Sequence, residues 1–138
     1  MPVLLAAFLL GFVAGLRVFT APAVLWLMRR TSLVAYLLGL AAIVEYALDL
    51  NPTTPARTRA LSLGLRIVSG ACCGWVLASM SGAPAALAAA LGALGAIAGA
   101  YAGLAARLRA IAVAGRVPAA LLEDAVAILA AVFVVANA

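Results

Sequence analysis

The residues able to do chemistry are few: the acids Glu45, Asp49, Glu123 and Asp124, nine basic residues that are all arginine, two adjacent cysteines and no histidine. Glu45 and Asp49 are four residues apart, a spacing that puts both carboxylates on one face of a helix. Glu123 and Asp124 are neighbours, so on a helix they diverge by about 100° and one can face inward while the other faces a second helix. Carboxylates held in apolar surroundings bind a cation or carry protons, and nearby guanidinium groups set their proton affinity or compete as internal counter-ions. Arg17 and Arg66, each inside a long apolar run, are the candidate counter-ions. Cys72 and Cys73 stand side by side in another apolar run, which suits neither a disulfide framework nor zinc spacing. No metal site and no cofactor are expected.

The elements that must position these groups follow from composition. Of the 138 residues, 69% are hydrophobic and 9% charged, whereas soluble domains run at about 45–50% apolar and about 25% charged. A water-soluble domain and a disordered chain are both excluded. The expected fold is all-α: a polytopic membrane bundle of about five transmembrane helices in one unit, with spans at about residues 3–28, 32–50, 59–80, 83–106 and 117–137. Each approaches or exceeds the ~20 residues needed to cross ~30 Å of hydrocarbon. The separators are Arg29-Arg30-Thr31, then Asn51 to Pro55, then Ser81-Gly82, then Arg107 to Arg116. Net charge is +5, but the arginines flank apolar runs, so the partner is the lipid bilayer and not nucleic acid. Arg57, Arg59 and Arg107 fall in loops as headgroup contacts. The start of the chain has no positive stretch before its apolar run, so a cleavable signal is not expected.

Five crossings would put Arg57, Arg59, Arg107, Arg109 and Arg116 on one side against Arg29 and Arg30 on the other. The positive-inside rule then places the N-terminus in the cytoplasm and the C-terminus outside, in a bacterial cytoplasmic (inner) membrane. The four acids and Arg66 gather in one leaflet, with Arg17 deeper. Two arginines do not neutralise four carboxylates unless loop arginines fold inward. Within the first span Pro22 removes a backbone donor, and Thr20 is placed to cap a restarted helix with Pro22 in its first turn. A kinked or broken first helix near Thr20–Pro22 is expected, of the kind that meets ligands in transporters. Gly95, Gly99 and Gly103 repeat at every fourth residue, and Gly70 and Gly74 follow Arg66 on one face. Both patterns permit close helix approach, within the chain or in a homodimer; a homodimer is the expectation, because five short helices enclose little interior.

Several of these segments together resemble a family of small bacterial membrane proteins catalogued as domain of unknown function 4126. The resemblance rests on Gly15-Leu16-Arg17 with Thr20 to Ala23, on Glu45 and Asp49 followed by Pro52, Pro55 and Arg57, on Arg66 to Ala71, on Gly95 to Gly99, and on Leu121 to Ile128. It covers most of the chain. Leu50 departs from the pattern, which has a basic residue after the aspartate. The resemblance implies a membrane bundle and supports these residues as a site, but implies no activity.

Three functions compete. The favoured one is a small transporter or channel for a cation or other small polar solute, with or without proton coupling, using Glu45, Asp49, Glu123, Asp124, Arg17 and Arg66. The second is a non-catalytic scaffold, assembly factor or lipid organiser. The third is an intramembrane enzyme acting on a lipid headgroup, with acids on a divalent metal and arginines on phosphate; no nucleophile motif supports it.

Overall fold

The computed structural model describes residues 1–50 and 59–138. Arg57 and the breaker from Asn51 to Pro55, both assigned roles above, lie outside the described residues. Among the described residues six helices follow one another: α1 Val3–Leu16, α2 Thr20–Arg29, α3 Leu33–Asp49, α4 Ala60–Ser81, α5 Ala85–Ala114 and α6 Arg116–Ala136. Among the described residues there is no strand. α4, α5 and α6 are each long and apolar enough to cross a membrane, which is consistent with a membrane protein.

Local chemistry sets the boundaries. Ser32 begins α3 by accepting a hydrogen bond from the Ala35 amide at 3.4 Å, the usual work of a serine N-cap. α4 and α5 stop at Gly82 (φ 69°) and Gly115 (φ 88°), left-handed conformations that glycine adopts without a Cβ penalty. α5 therefore continues eight residues past the expected end at Ala106, to Ala114. Arg107 and Arg109 are helical residues rather than loop residues, because alanine, leucine and arginine all favour helix and no breaker precedes Gly115.

The direction of the helices departs from the expected plan. An unbroken helix over residues 3–28 would separate Met1 from Arg29 by about 40 Å at 1.5 Å per residue. Instead both ends reach the end of α6: the Met1 amino group donates to the Asn137 carbonyl at 2.5 Å, and Arg29 donates to the carbonyls of Val135 (2.9 Å) and Ala138 (3.1 Å). The chain runs inward along α1, turns at residues 17–19, and returns along α2 to the end from which it started. N- and C-termini consequently lie at the same end of the bundle, not at opposite ends as five crossings would require.

α1 lies in the groove between α4 and α5 and makes its largest contacts there. Ala7, Ala78 and Ala88 meet near the chain-terminal end, with Val3 and Ala85 packed against them. Further in, a Cβ at Gly11 would collide with the Gly92 carbonyl, one at Gly74 with the Ala88 carbonyl, and one at Gly99 with the Phe12 carbonyl. α1 thus runs parallel to α5 and antiparallel to α4. Gly70 and Gly95 make equally close approaches, to Gly92 and Phe8, and Gly103 is buried. The glycine ridge is therefore occupied by helices of the same chain. Above the turn an apolar core joins α1, α2, α4 and α6 through Leu10, Val13, Leu25, Leu77, Val134 and Val135. α3 stands apart: its main packing is on α2, and it buries only Ala35 and Ala42.

Candidate functional site

The site is built around the turn at Arg17, Val18 and Phe19. A helix that stops inside a protein leaves carbonyls at its C-terminal end and amides at the start of its successor without partners. Here side chains from two other helices supply them. Arg66 on α4 donates from Nη1 to the carbonyls of Gly15 (2.7 Å) and Leu16 (2.8 Å), the last turn of α1. Ser69, one turn further along the same face, donates to the Val18 carbonyl at 2.6 Å. Glu45 on α3 accepts from the Val18 amide at 2.8 Å and the Phe19 amide at 3.0 Å, one through each carboxylate oxygen. A cation thus sits at the negative end of α1 and an anion at the positive end of α2, the favourable arrangement for both helix dipoles.

Thr20 does not cap α2. The N-cap is Phe19, without a side-chain cap of its own, and the Thr20 hydroxyl shares a 2.6 Å hydrogen bond with the Tyr46 hydroxyl. Glu45 replaces a local cap because its carboxylate reaches two amides at once. Pro22 occupies the third position of α2, where no intrahelical donor is needed.

Arg17 points away from Arg66 into a second cluster. It is 1% exposed, pairs through Nη1 with Asp49 at 2.9 Å and through Nη2 with Asp124, and lies 5.4 Å from the centroid of the Tyr46 ring. Its Nε has no hydrogen-bond acceptor among the described residues. Arg107 enters the same cluster from α5, bonding Asp49 through Nη1 and approaching Glu123 at 3.5 Å, while Nη2 reaches the Asp49 carbonyl at 3.4 Å. Its expected place as a loop contact is corrected by the length of α5, which carries it into the bundle. Asp49 therefore bridges Arg17 and Arg107, and α3, α5, α6 and the turn meet at these ion pairs.

The structure thus brings Asp49, Glu123, Asp124 and Arg17 together, adds Arg107, and gives Glu45 and Arg66 to the turn beside them. Tyr46 and Ser69 also belong to the site. Their signals were adjacency to Glu45 and the three-residue spacing from Arg66, but neither carries a charge that would single it out in an apolar chain. Among the described residues no group of three or more potential metal ligands converges.

Two cavities flank the cluster. One of about 560 Å³ lies between the turn, α3 and α4, with Arg17, Glu45, Asp49 and Arg66 in its wall. One of about 310 Å³ lies between the end of α1, α5 and α6, with Arg107 and Glu123 in its wall. Comparison of the chain with protein-family models, curated proteins and solved structures gives no match.

Proposed function

We propose that the protein is a small transport protein of the bacterial inner membrane, moving a cation with or without coupling to protons. In this reading α3, α4, α5 and α6 cross the bilayer and α1–α2 is a re-entrant hairpin whose turn lies at hydrocarbon depth. The 14 residues of α1 extend about 21 Å, short of the ~30 Å of a full crossing. By the positive-inside rule the end carrying Arg59, Arg109 and Arg116 faces the cytoplasm, and both termini face outward.

The single observation that carries the proposal is the clamped turn. Backbone that is neither helix nor strand is tolerated at membrane depth only where protein buries it or it lines a cavity. Facing half-helix ends beside carboxylates are a means by which transporters meet ions. Arg17 and Arg107 act here as tethered cations occupying Asp49, Glu123 and Asp124; an arriving cation or proton exchanges with them and is released when they return. The apolar core around Leu10, Leu25, Leu77 and Val134 closes the route toward the chain termini, so the cluster is reached from the opposite end.

Protein reconstituted in vesicles tests this. Cation or proton flux above that of protein-free vesicles is expected, with at least a tenfold loss in Asp124→Asn and Asp49→Asn variants that remain folded. Wild-type protein giving no flux above empty vesicles would reject it. One observation favours the scaffold reading: every one of the four acids has a partner within the chain. Under that reading the same variants change stability alone. Among the residues that resemble the domain of unknown function 4126 family, Gly15, Leu16, Arg17, Glu45, Arg66 and Ser69 form the turn and its clamps, and we propose membership on that basis.

A further inference from the structure

We propose that the cleft between α3 and α4 is a binding site for one acyl chain of an anionic phospholipid, whose phosphate lies at Arg59. The inference rests on α3 and α4 crossing the membrane and is independent of whether the protein transports anything. Adjacent crossings in a bundle normally close on each other, yet α3 has its main packing on α2 and leaves a cavity of about 560 Å³ against α4. That volume falls in the range of small-molecule sites. Its outer wall is aliphatic: Leu37, Leu40 and Leu65 line it while remaining 56%, 58% and 51% exposed. The cleft therefore opens sideways, toward where the hydrocarbon lies.

Length selects the occupant. The α3 wall runs from Leu37 to Asp49, about 18 Å at 1.5 Å per residue, close to one leaflet of a hydrocarbon layer ~30 Å thick. Charge selects the headgroup. Ser62 lines the cleft at the start of α4, and three residues earlier Arg59 is exposed as the N-cap of that helix. A guanidinium at the level where lipid phosphates lie attracts an anionic headgroup. A second copy of the chain would have to present a single narrow ridge to fill the same space, whereas an acyl chain needs no such matching.

Native mass spectrometry of the purified protein, delipidated and then offered phosphatidylglycerol or phosphatidylcholine, tests the assignment. Val44 lines the cleft and its neighbour Ile43 does not; both are substantially exposed, at 48% and 64%, so tryptophan at either position is compatible with folding. One bound phosphatidylglycerol per chain is expected. Val44→Trp should lower its occupancy at least tenfold, Ile43→Trp should leave it unchanged, and Arg59→Gln should abolish the preference over phosphatidylcholine. Equal occupancy in Val44→Trp and Ile43→Trp would overturn the site, as would no retained lipid in the wild type. So would a dimer that Val44→Trp dissociates with no change in lipid. Because the readout is bound lipid, a failure of the transport proposal leaves it standing.

Discussion

Removing the Glu45 carboxylate probes the clamp on the turn. Its two oxygens accept from the Val18 and Phe19 amides at 2.8 and 3.0 Å. Glu45→Ala leaves both donors without the carboxylate in a largely apolar bundle, and each unsatisfied donor costs about 1–3 kcal/mol. The expected loss is therefore about 2–6 kcal/mol, or an unfolding constant raised about 30-fold or more. Glu45→Gln keeps one oxygen for one amide and turns an NH₂ group toward the other, so roughly half that loss is expected. Tyr46→Phe is the control: it removes the neutral bond to Thr20 and should cost about 1 kcal/mol. Equilibrium unfolding in mixed micelles, followed by circular dichroism, measures all three. Glu45→Ala within 0.5 kcal/mol of Tyr46→Phe, a threshold of about a twofold difference in equilibrium constant, would refute the claim that this carboxylate holds the turn.

Other substitutions separate packing from charge. Gly99→Ala would drive a Cβ into the Phe12 carbonyl, whereas a Cβ at Gly64 meets nothing within 4 Å; the first should destabilise by about 1–3 kcal/mol, and the second should be neutral or stabilising by up to about 1 kcal/mol. Arg107→Gln removes one of the two cations paired with Asp49 and the cation beside Glu123 and should lower stability by up to about 3 kcal/mol, with Arg107→Lys falling between it and wild type in the same unfolding assay. Arg66→Met removes both donors from the Gly15 and Leu16 carbonyls and should lower stability by about 2 kcal/mol or more. Hydrogen exchange should then rise first at residues 14–20, and unchanged protection there would contradict the assigned role.

Much of the site was readable from one property: charge in an apolar chain. Arg17, Arg66, Glu45, Asp49, Glu123 and Asp124 stand out because each must find a partner or a function, and the structure gives each a partner. The direction of the chain was not readable in the same way. Residues 3–28 have the length and apolarity of a full crossing, and hydropathy does not distinguish a helix that continues from one that folds back. The information lies in tertiary contacts: Arg66 and Glu45, distant in sequence, satisfy the backbone groups that a turn exposes. Pro22 drew attention to the right neighbourhood, but the interruption falls at residues 17–19, and proline then fits the first turn of α2. Arg107 was misplaced for a related reason. An arginine near an apolar boundary reads as a loop residue, yet its long side chain allows it to belong to a helix and still reach Asp49.

The hairpin is tested most directly by the sidedness of the chain ends in intact membranes. With Cys72 and Cys73 replaced by alanine, single cysteines at Pro2, Arg30, Arg116 and Ala138 can each be labelled with an impermeant maleimide before and after permeabilisation. The same-end arrangement of Met1, Arg29 and Ala138 predicts that positions 2, 30 and 138 label from one side and position 116 from the other. Labelling of positions 2 and 138 from opposite sides would mean that the first apolar segment passes straight through, and the clamped turn would not exist.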